Sequence, residues 1–185
     1  MRKNFGIKPW LYPQPVLIIS SYNEDGSANA MNAAWGGTSK NDEISICVSE
    51  HKTTENIIRN RAFTVSIGDI SHVIECDYVG IVSGNNVPDK LAKANFTISK
   101  SEFVNAPIIN ELPMALECAL VSYDKDTERM VGKIVNISVD EKALNDKGEI
   151  ASEKLEAIIF DPIEGVYRKV GEKVGKAFSD GAKIK

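Results

Sequence analysis

Cysteine is scarce in this chain of 185 residues: Cys47, Cys76 and Cys118 are the only three, widely spaced and odd in number. With no close-spaced pair to build a zinc or dithiol centre, the thiols are expected to be buried and inert. His72 and Cys76 can share one face of a helix, but they lack the companions a metal ion requires, so no metal site is expected. No run reaches the roughly 18 apolar residues of a membrane span, and the first residues, "MRKNFGIKPW", have no apolar signal core, so a cytoplasmic protein without membrane contact is expected. Basic residues form no block beyond scattered lysines near the C-terminus, and 26 acidic against 22 basic side chains leave a net charge of −4. A large phosphate-neutralising surface for nucleic acid is therefore not expected. A GxGxxG stretch after a strand, a Ser/His/Asp set and a buried carboxylate pair are missing too, which argues against a dinucleotide-binding fold and hydrolytic catalysis. Repeats and linkers are also lacking, and the length suits one domain over residues 1–185.

What is present is a series of strand signals. "PVLIISSY" (15–22) is rich in β-branched and apolar residues, "NEDG" follows as a turn, and "SANAMNAAW" completes a hairpin. "ISICVS" (44–49) and "FTVSI" (63–67) are expected as two further strands, with two turns of helix between them. "ALECALVSY" (115–123) and "MVGKIVNISV" (130–139), joined by "DKDTER", form a second hairpin. The helical stretches are too short for regular crossovers, so a mainly β fold, a closed antiparallel barrel with short α insertions, is expected over a doubly wound sheet. A further helix is expected over 69–78, where Ile70, Val73, Ile74 and Asp77 recur at helical spacing, and "SGNNVPDK" then breaks the pattern as a loop. In the tail, "YRKVGEKVGKAFSDG" places Tyr167, Val170, Val174, Ala177 and Phe178 on one helical stripe. Gly171 and Gly175 lie in that same stretch, four apart, and suggest close packing against another backbone.

The stretch "SEHKTTENII" gathers chemistry at a helix start. Thr53 or Thr54 there can simply cap a free backbone N–H. His51 and Lys52, however, are donors that a cap does not need, and together with free N–H groups and hydroxyls they make a pocket for a phosphate dianion. "DGSANAMNAAWGG" adds a strand with Asn29 and Asn32 among alanines at 28, 30, 33 and 34. Small side chains let a flat ligand approach the backbone, and the amides can hydrogen-bond its polar edge, while Met31 and Trp35 can supply apolar cover, a placement that core packing explains equally well. A planar polar ring joined to a phosphate satisfies both stretches, as in flavin mononucleotide.

In order, "PQPVLIIS", "DGSANAMNAAW", "HKTTENI", "SGNNVPDK", "LECALV" and "YRKVGEKVGKAF" resemble the flavin reductase-like, FMN-binding split-barrel family, in particular its flavoredoxin-type branch. The resemblance runs from about residue 10 to the C-terminus. It implies a six-stranded antiparallel split barrel and a homodimer with noncovalent FMN near the subunit interface. The ring-contacting strand of the family falls on Asn29, Met31, Asn32, Ala33, Ala34 and Trp35. Its phosphate segment falls on Ser49, His51, Lys52, Thr53 and Thr54, and its basic loop on Ser83 and Lys90. Two departures stand out: many relatives carry a hydroxyl residue where Asn32 stands, and many have prolines where this chain reads "KNDEISI". The resemblance implies an NAD(P)H:flavin oxidoreductase with NAD(P)H docking transiently, or a flavoredoxin-like carrier exchanging electrons with protein partners. Hydride transfer to the flavin needs no protein nucleophile or general acid, so no catalytic side chain is expected beside the cofactor.

Overall fold

The computed structural model describes residues 1–184. Its elements run β1 (Gln14–Pro15), β2 (Leu17–Tyr22), β3 (Ala28–Ala33), β4 (Gly36–Lys40), β5 (Glu43–Cys47), α1 (Lys52–Asn60), β6 (Ala62–Ile67), α2 (Val73–Ile81) and α3 (Lys90–Lys93). They continue with β7 (Ile98–Lys100), β8 (Pro107–Ile109), β9 (Met114–Asp124), β10 (Arg129–Val139), β11 (Ile158–Asp161) and β12 (Val166–Lys169). No described helix is long and apolar enough to cross a membrane.

Both expected hairpins form. The β2–β3 pair runs from Leu17 opposite Ala33 to Tyr22 opposite Ala28, and β9–β10 is the long antiparallel ladder at the centre of the sheet. The main sheet has seven strands in the order β3-β2-β6-β9-β10-β5-β4, one more than the six expected. The additional strand is β4, whose sequence "GGTSK" is a poor strand former and which pairs only with β5, at the exposed edge.

Alternation curls this sheet. Leu17 and Ile19 of β2, Ile44 and Ile46 of β5, Phe63 and Val65 of β6, Leu116, Cys118 and Leu120 of β9, and Met130 of β10 all enter one buried cluster, with Ile57 of α1 at its end. A Cβ at Gly36 of β4 would lie 3.0 Å from Leu17 and 3.1 Å from Ile46, so the far edge has come round to the near one. The result is an antiparallel split barrel, its edge strands β3 and β4 joined through the corner Ala34–Trp35. Glu117, only 1% exposed, accepts hydrogen bonds from Asn136 Nδ2 at 2.7 Å and from the Ser101 hydroxyl, which ties the 101–106 loop to the barrel wall.

A second core lies outside the barrel, where Val16, Ile18 and Ala30 meet Cys76 and Val79 of α2, Leu91 of α3, Ile109 of β8 and Ile158 of β11. The helix expected over 69–78 is displaced. Asp69 caps a 3-10 turn by accepting from the N–H groups of Ser71 and His72, and α2 then buries Cys76 and Val79 while Ile74 faces outward. The His72 ring is held by Asp69 at 2.8 Å, and no metal-binding cluster of His, Cys, Asp and Glu occurs among the described residues. Burial pushes the thiols of Cys76 and Cys118 up to about 12, and Cys47 is half-buried.

The tail departs most from expectation. Tyr167 belongs to β12, paired with β11 opposite Phe160. Residues 170–176 are exposed and belong to no helix or strand, and a short 3-10 turn follows at Asp180–Lys183. A Cβ at Gly171 would meet nothing within 4 Å, so no close helix packing exists there. Two glycines at about 1 kcal/mol each, with no apolar groove beneath the stripe, outweigh the helical spacing of Val170, Val174 and Phe178.

Candidate functional site

Helix α1 begins without a side-chain cap. His51 is the cap residue in extended conformation, its side chain makes no capping bond, and Glu55 N–H is the first to reach a helical carbonyl, that of His51, at 3.0 Å. The threonines do other work. Thr54 donates to the Ser49 carbonyl at 2.7 Å, closing the turn before the helix, and Thr53 accepts from Asn29 Nδ2 at 2.6 Å. Capping by either threonine is thus absent, and the helix start keeps its N–H groups and partial positive charge free to meet an anion.

This helix start opens on a cavity of about 220 Å³ lined by Asn29, Met31, His51, Lys52, Thr53, Ser83 and Lys90, with Val79, Gly80, Ile81, Val82 and Gly84 on its far wall. Seven of the thirteen residues singled out in the sequence therefore meet in one place. Lys90 is the unusual member. Only 3% exposed, it donates from Nζ to the carbonyls of Val79 at 3.2 Å and Val82 at 3.0 Å, where α2 ends. Burial first, and the charge of Lys52 second, push this ammonium down to about 8. Neither Lys52 nor Lys90 forms an ion pair among the described residues. Lys52 also sits in the first turn of α1, where a cation opposes the helix dipole. Two such placements cost stability unless an anion joins them, and the ammonium of Lys90 has a third donor to offer.

The remaining candidates lie elsewhere. Asn32 is on the opposite face of β3, donating to the Cys76 carbonyl at 3.0 Å and to Tyr167 Oη at 3.4 Å. Tyr167 in turn donates to Asp77 at 2.7 Å, and burial followed by that contact raises its phenol. Ala33 packs against the barrel core. Ala34 and Trp35 line a different groove, of about 610 Å³, together with the N-terminal arm. Ser49 and Thr54 do not line the first cavity and are hydrogen-bonded to each other instead. Along the chain only three residues, roughly 10 Å at about 3.4 Å each, separate Met31 in the first cavity from Ala34 in the second.

Sequence reasoning passed over Gly84, Gly80 and the carbonyls of Val79 and Val82. A Cβ at Gly84 would stand 2.3 Å from Asn29 Oδ1, and one at Gly80 would stand 2.8 Å from Asn32 Cβ. Glycine beside a serine in "SGNN" was a readable sign of close backbone approach. The two carbonyls carry no side-chain signal at all.

Cradle and donors suit a phosphate ester: free N–H groups at a helix start, two lysines on one cavity, and glycine walls that leave room. The comparisons agree on the class of protein. A model of the flavin reductase like domain matches residues 10–154, and the chain belongs to that family. Flavoredoxin of Desulfovibrio vulgaris (Miyazaki F) is 36% identical, with a TM-score of 0.92 over 98% of this chain and 100% of that one. Flavoredoxin from Methanosarcina acetivorans is 27% identical, with a TM-score of 0.87 over 100% of both chains. An uncharacterized protein of Aeropyrum pernix is 25% identical over 114 residues, and the match spans 43% of that relative's length.

Proposed function

We propose that this chain binds FMN noncovalently and passes electrons through it from NAD(P)H to a flavin or other acceptor. The observation that carries this reading is the pair Lys52 and Lys90 on one cavity at an uncapped helix start. There the phosphate of FMN would meet Lys52, Lys90, Thr53 and the N–H groups of α1. The ring would lie along the small-residue edge of β3, with Met31, Ala34 and Trp35 as apolar neighbours. Bound flavin supplies the hydride and electron chemistry, while the protein orients the ring and keeps one face accessible. Family membership supports a flavin as the ligand. A homodimer and a cytoplasmic setting belong to the same proposal.

Similarity to two flavoredoxins supports a second reading, an electron carrier served by protein partners without NAD(P)H turnover. Titration of flavin-free protein with FMN and riboflavin tests the binding claim: FMN is expected to bind far more tightly, and equal affinities would remove the phosphate site. Steady-state oxidation of NADH and NADPH with added FMN then separates the readings, since turnover supports the reductase and its absence in FMN-loaded protein supports the carrier.

A further inference from the structure

The outer face of β3 carries a polar cluster that the flavin reading leaves unused. Asn32 turns away from the phosphate cavity, and its Nδ2 donates to the Cys76 carbonyl within α2 at 3.0 Å and to Tyr167 Oη at 3.4 Å. Tyr167 Oη donates onward to Asp77 Oδ1 at 2.7 Å. Asp77 forms no ion pair among the described residues, so this phenol is the donor that meets its charge. The Tyr167 ring lies 6.1 Å from that of Phe160 and packs on the second core, which fixes it to the β11–β12 pair. Strand β3, helix α2 and strand β12 are thus tied at one point. The contact is close: a Cβ at Gly80, one turn beyond Cys76, would stand 2.8 Å from Asn32 Cβ, so α2 rests directly on β3. The same helix ends as the wall of the phosphate cavity. Residues Val79 to Gly84 line it, and the carbonyls of Val79 and Val82 hold Lys90 Nζ. Asp77 precedes Val79 by two residues, roughly 3 Å of helix at about 1.5 Å each.

We infer that Tyr167 is a positioning residue for the flavin phosphate: through Asp77 and Asn32 it sets the height of α2 on β3, and with it the carbonyls that aim Lys90 into the cavity; this rests on the FMN reading above. Tyr167 itself lines no part of that cavity, so its effect runs through the helix. A hydrogen bond to a carboxylate is among the stronger kinds, which suits the Tyr167–Asp77 pair to the task. Burial, followed by the Asp77 contact, raises the phenol, so the hydroxyl keeps its proton and remains the donor. Lys90 is sensitive to the height of α2. Its bonds to Val79 and Val82, at 3.2 and 3.0 Å, lie toward the long end of the ordinary range, so a small retreat of the helix breaks one of them. The ammonium then turns from its aim and meets water.

Tyr167→Phe removes the hydroxyl and keeps the ring. FMN and riboflavin are titrated into flavin-free wild type, Tyr167→Phe, Lys90→Met and the double variant, with urea midpoints to establish that each is folded. In Tyr167→Phe the affinity for FMN is expected to fall roughly fivefold or more while that for riboflavin is unchanged. The double variant is expected to bind FMN within about twofold of Lys90→Met alone, because both substitutions act through one ammonium. A pH series adds a readout that a loss of stability would not move. Burial first, and Lys52 second, hold Lys90 down to about 8, so wild-type affinity for FMN falls above that pH. With α2 loosened, water reaches the ammonium and the fall begins at higher pH. His51 and Lys52, the other basic groups on the cavity, are untouched by the substitution. Equal losses for the two flavins, additive losses in the double variant, an unmoved pH profile or an unchanged FMN affinity would each overturn the inference. Should Tyr167→Phe not fold, Asp77→Asn, which keeps an acceptor oxygen and removes the charge, is expected to show the same pattern and is read the same way. A wild type that binds FMN and riboflavin equally refutes the phosphate site, whereas a preference for FMN that survives Tyr167→Phe refutes this inference alone.

Discussion

Lys90 carries most of the argument at the scale of single residues. A buried ammonium held by two carbonyls and facing a second lysine is strained by its own charge, and an anion relieves it. Lys90→Met is therefore expected to act with opposite signs on two measurements. Without flavin the variant should be at least as stable to urea as the wild type, because an apolar side chain replaces a desolvated charge. Its affinity for FMN should fall roughly 10- to 100-fold, the loss of a hydrogen bond to a charged group of about 1.5–3 kcal/mol, with riboflavin affinity little changed. A variant that is destabilised and binds both flavins normally would assign Lys90 to the fold alone. The same residue sets a pH dependence. Its folded value of about 8 lies below the ordinary 10.5, so between these limits the unfolded chain holds a proton that the folded, flavin-free chain has released. Stability of the flavin-free protein should then rise with pH across that window. Affinity for FMN should fall over the same range, since the phosphate needs the charged form. Urea midpoints and FMN titrations at pH 7 and pH 9.5, in wild type and Lys90→Met, check both signs, and the pH effects should shrink in the variant.

At the scale of elements, two glycines separate site from scaffold. A Cβ at Gly84 would press on the Asn29 amide that holds Thr53, so Gly84→Ala should weaken FMN by disturbing the cavity while leaving the barrel folded. Gly132 of β10 lies inside the barrel, where a Cβ would stand 2.4 Å from Phe63 Cζ. Gly132→Ala should lower stability by about 1–3 kcal/mol through overpacking, with FMN affinity unchanged. Denaturation midpoints and flavin titrations of the two variants should show this crossed pattern. Glycine also explains what could be read from the sequence. Both hairpins and α1 were legible because their apolar periods agree with their turns: "PVLIISSY" before "NEDG", and Ile57 four residues beyond Thr53. Edge strand β4 was hidden because "GGTSK", with two glycines, is a poor strand former and pairs only with β5. The tail misled for the opposite reason, since a helical stripe of Val170, Val174 and Phe178 has nothing beneath it to bury against. Lys52 and His51 stood out as donors a simple cap does not need, and the family resemblance pointed to Lys90. The Val79 and Val82 carbonyls meet Lys90 only once α3 packs against the end of α2, and the Asn29–Thr53 bond arises only where β3 meets α1. Asn32 shows the limit of reading one strand, because pleating sends it to the face opposite Asn29, toward Cys76 and Tyr167.

For the whole molecule, the exposed apolar residues at both ends of the chain call for cover. Phe5, Trp10 and Leu11 in the N-terminal arm and Val170, Val174 and Phe178 in the tail are all exposed, and so are Val121, Val135 and Ile137 on the barrel. A homodimer burying at least about 1,000 Å² with an apolar centre would cover part of this surface. Deleting residues 170–185 is expected to leave the barrel folded, because the tail contributes no strand to it, and to weaken association. Light scattering of wild type and truncated protein at micromolar concentration checks this, and a wild-type monomer that keeps its flavin would remove the dimer from the account. The proposed role of this fold is to hold FMN. Its most direct test is the visible absorption spectrum of the untreated protein, followed by chromatography of whatever heat releases. A flavin spectrum with FMN as the released species is expected. Release of mainly FAD, or a colourless protein that fails to take up added FMN, would contradict it.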